Sequence, residues 1–124
     1  MGKRAYAEKI YKNFDFVLDL EHEEPEKITR SGLIINVQDG VKNLLLQNIN
    51  PLEFFNSRLE ILKNSVLTCS EISCGVVPCD KFERQWRDET GRVYKFLADE
   101  ADIVDRIFAG LPLRLKYCSR VNFV

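Results

Sequence analysis

What this chain has little of limits its chemistry first. A single histidine, His22, serves all 124 residues. Triad-type nucleophilic catalysis needs an imidazole beside its nucleophile, and His22 lies in the run Glu21-His22-Glu23-Glu24-Pro25-Glu26. A charged stretch of this kind reads as a solvated loop, so no histidine-based catalytic centre is expected. Neither Gly-x-Gly-x-x-Gly nor the P-loop pattern Gly-x-x-x-x-Gly-Lys-Ser/Thr occurs in the sequence, which leaves no glycine-rich phosphate cradle to read. No apolar run approaches the roughly 18–20 residues that a membrane helix needs. The start, Met1-Gly2-Lys3-Arg4-Ala5-Tyr6, leads into charged residues rather than an apolar leader, so secretion is not expected. Tyr6 stands where a myristoylation motif has Ser or Thr. The formal net charge of −1 disfavours a whole-surface nucleic-acid binder, which is normally basic. A cytoplasmic protein is expected, in the host cytoplasm if the chain is viral or from a phage.

What is present suits one soluble domain over residues 1–124. Apolar residues make up 45% of the chain and include eight Phe and four Tyr, enough to fill a core. Four cysteines, Cys69, Cys74, Cys79 and Cys118, are expected to be reduced thiols in the absence of a secretion signal. A cysteine-based zinc module is the alternative, because four thiolates can hold tetrahedral zinc. Structural zinc sites usually carry tight pairs two to four residues apart, and this spacing lacks them. Free thiols without metal or other cofactor are therefore the expectation.

Phe14, Phe16, Leu18 and Leu20 alternate with Asp15, Val17 and Asp19, which predicts a half-buried strand. Residues 3–12 read as a short first helix, and 21–31 as a loop. Leu33-Ile34-Ile35-Asn36-Val37 reads as a second strand. The stretch Val41 to Asn48 fits either a helix or a buried strand. Asn50 as cap, Pro51 at the first position and the stripe Leu52, Phe55, Leu59, Leu62 predict a helix over 51–63. Ser65 to Thr68 reads as a strand and Cys69 to Pro78 as irregular chain. Phe82–Arg87 and Arg92–Leu97 around Asp88-Glu89-Thr90-Gly91 read as a hairpin, with Trp86 half-buried between Arg84 and Arg87. Asp99 reads as the cap of a helix of about ten residues, with Glu100 and Asp102 in its first turn and Gly110 and Pro112 ending it. Leu113 onward reads as a last strand. The fold class these elements give is α+β, an antiparallel β core with two short helices.

The loop leading into Thr29-Arg30-Ser31-Gly32 and then Leu33-Ile34-Ile35 has two readings. The triplet is either a core strand or the exposed anchor of a partner-binding loop. Here the chain resembles the GroES-type co-chaperonins, including their bacteriophage relatives. Three stretches carry the resemblance: Phe16–Leu20 followed by the acidic loop and Ser31-Gly32-Leu33-Ile34-Ile35; Leu59–Leu67; and Thr90–Leu97 with Asp102-Ile103-Val104. The resemblance implies a partly closed β-barrel, with an all-β barrel as alternative, in a homo-oligomeric dome that caps a chaperonin ring. It implies that Leu33, Ile34 and Ile35 bind the partner, that Gly32 permits the turn before them, and that no catalytic residue exists. The competing expectation is a small structural subunit of a larger assembly, such as a virion.

Overall fold

The computed structural model describes residues 3–11, 14, 16–70, 80–108 and 111–116. Helix α1 (Lys3–Ile10) is followed by strand β1 (Val17–Asp19), a 3-10 turn at Pro25–Lys27 and strand β2 (Leu33–Ile35). Then come α2 (Val37–Leu46), α3 (Pro51–Ser57), α4 (Leu59–Leu62), β3 (Val66–Leu67), the long α5 (Lys81–Glu100), and β4 (Val104–Phe108) with β5 (Leu111–Lys116).

The main sheet is parallel, in the order β1-β2-β3. Leu18 lies opposite Ile34, and Ile34 opposite Leu67. The expected antiparallel core does not form, open or closed as a GroES-like barrel, nor does the all-β alternative. Among the described residues the only antiparallel pairing is the separate β4–β5 hairpin, and α-helices number five rather than two. The physical reason lies in β2. A strand at the centre of a parallel sheet is covered on both faces and reads as an unbroken apolar run. Leu33 and Ile34 are wholly buried and Ile35 nearly so. Ile34 points into a cluster with Leu18, Val37, Val41, Leu44, Phe55 and Val93, on the side of α2, α3 and α5. Leu33 and Ile35 point the other way and pack with Ala7 of α1, Phe14 and Val66. The result is a three-layer α/β arrangement, with α1 on one face of the sheet and three helices on the other.

Gly32 has a different role from the turn expected of it. A Cβ built there would lie 2.1 Å from the Phe16 carbonyl oxygen, the same oxygen that accepts the Leu33 N–H at 2.9 Å. The glycine lets two backbones approach at the entry to the sheet. Gly32→Ala is expected to cost about 1–3 kcal/mol, the range for overpacking a tight site. Urea denaturation checks this, and an unchanged midpoint would contradict it.

The helix expected over 51–63 begins as read. The Asn50 side chain accepts from the N–H groups of Leu52 and Glu53 at 3.0 and 3.3 Å. It breaks at Arg58, so α3 and α4 replace one helix. The hairpin expected over 82–97 is instead the interior of α5. Asp80 caps it by accepting from the Glu83 N–H at 2.7 Å. Trp86, Thr90, Val93, Tyr94 and Leu97 fall at helical spacing on its inner side, and Gly91 faces open space. The Asp-Glu-Thr-Gly run imitates a turn, but the rest of the 20-residue helix consists mostly of good helix formers and outweighs it. Conversely, the helix expected from Asp99 is strand β4: α5 runs through Asp99, and the chain after Glu100 extends.

The hairpin is tied to the body by charge. Arg114 donates to both carboxylate oxygens of Asp105 at 2.8 and 3.0 Å. Tyr6 of α1 donates to the same carboxylate at 2.9 Å. Lys116 donates to the carbonyls of Ala98 and Asp99 at 2.8 and 2.9 Å, a cation at the negative end of α5. The Arg114 hydrogen bonds hold the Asp105 carboxyl below its usual range despite partial burial. A depressed acid contributes stability above its unfolded pKa of about 3.9, and that contribution fades as pH falls through the folded value. Arg114→Gln should therefore lower the urea midpoint at neutral pH, with the gap to wild type closing below about pH 4. An equal gap at pH 7 and at pH 3 would contradict this.

Candidate functional site at the strand ends

Open parallel sheets bind ligands beyond the carboxyl ends of their strands. Here those ends carry polar residues directly after the buried runs. β1 ends at Asp19, β2 runs into Asn36, and β3 runs into Thr68, Cys69 and Ser70.

Asn36 occupies the left-handed region, with φ 61° and ψ 54°, a conformation Asn tolerates better than other non-glycine residues. That turn starts α2 immediately at the sheet edge. The Asn36 N–H donates to the Thr68 hydroxyl at 3.3 Å, and the Val37 N–H to the Thr68 carbonyl at 3.1 Å. The Asn36 amide nitrogen donates to Asp19 Oδ1 at 2.9 Å, which also accepts the Glu21 N–H at 3.0 Å. Gln38 donates to Asn36 Oδ1 and Asp39 Oδ2, both at 3.3 Å, and accepts the Ser70 N–H at 3.0 Å. On α5, the Trp86 indole donates to the Gln38 carbonyl at 2.9 Å, and the Tyr94 hydroxyl donates to the Ser70 carbonyl. Lys42 sits over the indole, 5.1 Å from its centroid.

The edge is acidic on the β1 side. Asp19, Glu21 and His22 each offer one ligand atom, all within 4.8 Å of one another, so a divalent cation could be held there. Burial raises the Asp39 carboxyl above its ordinary value, and Glu21 and Asp19 raise it further, against the lowering effect of Lys42 and His22. Asp39 therefore takes up a proton more readily than a free carboxyl would.

On the β3 side lies the buried Cys69. Burial pushes the Cys69 thiol up to about 12, and the Lys3 ammonium opposes that shift. Lys3 is the first residue of α1. Helix amino ends favour anions, and a lysine there strengthens the preference.

The residues singled out from sequence fall elsewhere or apart. Leu33, Ile34 and Ile35 are the central strand and Gly32 its entry, at the opposite end of the sheet. The triplet is core, not an exposed anchor. His22 is exposed as expected, with 73% of its side chain accessible. Cys69 is a free thiol at the β3 end. Cys74, Cys79 and Cys118 lie outside the described residues, so the metal expectation for the four cysteines is not addressed there. Trp86 is half-buried on a helix, not in a hairpin. Asp19, Asn36, Gln38, Ser70 and Lys3 were not read from sequence as site residues. One signal pointed to some of them: a polar residue directly after a buried strand, as at Asn36; in sequence, Gly2-Lys3 is the chain's Gly-Lys pair. Arg4 follows it where a P-loop has Ser or Thr.

A parallel sheet with helices on both faces and polar residues at its carboxyl edge is consistent with an α/β fold of the nucleotide-binding kind. The comparison with protein families agrees: residues 31–115 match the family described as cobinamide kinase / cobinamide phosphate guanyltransferase. The match spans more than half of the chain, and the chain belongs to that family. No curated protein matches the chain. The finding overturns the co-chaperonin expectation, with its chaperonin ring and its absence of catalysis, because this is a family of enzymes.

Proposed function

We propose that this chain takes part in phosphoryl or guanylyl transfer to a cobinamide, and that the carboxyl edge of the sheet faces the nucleotide. The observation that carries the reading is the cluster Asp19, Glu21 and His22 at that edge, which offers three ligand atoms within 4.8 Å of one another; Lys3 is the first residue of α1. A nucleoside triphosphate brings a polyphosphate and a divalent cation together, and the edge offers a partner for each. Lys3 and the free N–H groups of α1 would meet phosphate oxygens. Asp19, Glu21 and His22 would take open positions on the cation.

The two transfers named for the family differ in the nucleophile, in the phosphorus attacked and in the leaving group. In the kinase step a cobinamide hydroxyl oxygen attacks the terminal phosphorus, and the nucleoside diphosphate leaves. In the guanylyl step a cobinamide phosphate oxygen attacks the α-phosphorus of the guanine nucleotide, and pyrophosphate leaves. Both concentrate negative charge on the transferred group, so the work of the protein is positioning and charge stabilisation. Asp39, held above the ordinary carboxylate range, is the carboxyl at this edge best suited to accept the hydroxyl proton in the first step.

Calorimetric titration with magnesium GTP tests the reading. Wild type should bind, and Lys3→Ala should weaken binding by roughly tenfold or more, about 1.4 kcal/mol, the scale of one charge-assisted phosphate contact. Equal affinity of the two proteins, or no heat with wild type, would contradict it.

A further inference from the structure

We infer that Gln38 is the positioning residue of the strand-end site: its carboxamide fixes the relative placement of the three strand ends and its carbonyl ties them to α5. The hydrogen bonds run in one direction across the sheet edge. The Ser70 N–H, after β3, donates to Gln38 Oε1; Gln38 Nε2 donates to Asn36 Oδ1, after β2; Asn36 Nδ2 donates to Asp19 Oδ1, at the end of β1. Bonds aligned in this way polarise one another toward the terminal carboxylate. Each amide is used with its oxygen toward a donor and its nitrogen toward an acceptor, so the chain has one consistent orientation.

The Gln38 carboxamide bonds the segments after both β2 and β3, and Asn36 carries the connection on to β1. Gln38 stands in the first turn of α2, two residues after the left-handed Asn36. Its second Nε2 contact, to Asp39 Oδ2 at 3.3 Å, orients the carboxyl whose proton affinity is raised. Its carbonyl accepts the Trp86 indole N–H at 2.9 Å, and Trp86 is the chain's only tryptophan. A shift of the strand ends is thereby passed to α5. Gln38 is not placed against the nucleotide: it acts through Asn36, Asp39 and Ser70. The inference deepens the nucleotide reading and rests on it for the ligand, while the anchoring itself can be read without any ligand.

The experiment compares wild type, Gln38→Met and Gln38→Glu by amide hydrogen exchange and by titration with magnesium GTP. Met keeps the length and removes all the side-chain bonds. Glu restores the oxygen that accepts from Ser70 but cannot donate to Asn36. In Gln38→Met the Ser70 amide should exchange at least about tenfold faster, as a local opening, while the amides of Ile34 and Thr68 within the sheet keep their protection. GTP affinity should fall by about tenfold through lost pre-organisation. In Gln38→Glu, Ser70 protection should return and GTP affinity should not fully recover. Unchanged Ser70 exchange in Gln38→Met overturns the inference. So does faster exchange with undiminished GTP affinity, since Gln38 would then be merely structural. If Gln38→Met does not fold, a Gln38→Glu protein with an unprotected Ser70 amide overturns it as well. Failure of wild type to bind GTP would instead count against the nucleotide reading, and the exchange of Ser70 would still decide the anchoring.

Discussion

The double change Ile34→Asp and Ile35→Asp should leave the chain unfolded. Ile34 and Ile35 are 0% and 5% exposed, and they point to opposite faces of the central strand. Each substitution forfeits roughly 1.5–3 kcal/mol of side-chain burial. Each also places a carboxylate among aliphatic side chains, at a cost of several kcal/mol unless it takes up a proton. The sum is comparable to the whole stability of a domain, about 5–15 kcal/mol. Because the two residues serve different layers, no single rearrangement relieves both. Circular dichroism and a thermal melt give the answer. Loss of the cooperative transition is expected. A folded protein with an intact melt would mean that the triplet is not the central strand, and would reopen the reading of this segment as an exposed anchor.

Phe55→Ala should be the most damaging single truncation of an aromatic side chain. Phe55 is fully buried, on the inner side of α3. It belongs to the same cluster as Ile34, Val41, Leu44 and Val93, where helices α2, α3 and α5 meet the sheet. Its ring also meets Phe54 edge-on, with centroids 5.6 Å apart and planes at 87°. Truncation removes the burial and leaves a cavity that helices held on three sides cannot close, so about 3–5 kcal/mol is expected. Guanidinium denaturation measures it from the shift in midpoint at constant slope. A loss under about 1 kcal/mol would place the ring outside a well-packed core.

Much of the local structure was legible in the residues. The cap at Asn50, the strand around Leu18, the strand after Gly32 and the strand before Thr68 all stand close to where their patterns put them. The direction of the strands was not legible. Alternation says which residues face the core, but nothing about whether the neighbouring strand runs parallel or antiparallel. The one available cue was the unbroken run Leu33-Ile34-Ile35, which parallel burial explains better than a loop anchor does. The error over 82–97 came from weighing a turn-like Asp-Glu-Thr-Gly above helical spacing. Trp86, Thr90, Val93 and Leu97 lie four, three and four residues apart, a spacing that a strand cannot place on one face.

The site was harder to see because no segment contains it. Asp19, Asn36, Gln38 and Ser70 are spread over about fifty residues and meet only when three parallel strands bring their carboxyl ends together. No complete P-loop occurs in the sequence, whereas the ends of the three parallel strands bring polar side chains to one edge, and that edge is where the nucleotide is proposed to bind.

The most direct measurement of that central claim is an amide chemical-shift map of the labelled protein on addition of magnesium GTP. The largest shifts should fall at Lys3, Asn36, Gln38 and Ser70, with the Trp86 indole signal moving at the same nucleotide concentration. No shifts, or shifts confined to the shallow cleft of Leu52, Arg92, Lys95 and Phe96 between α3 and α5, would contradict it.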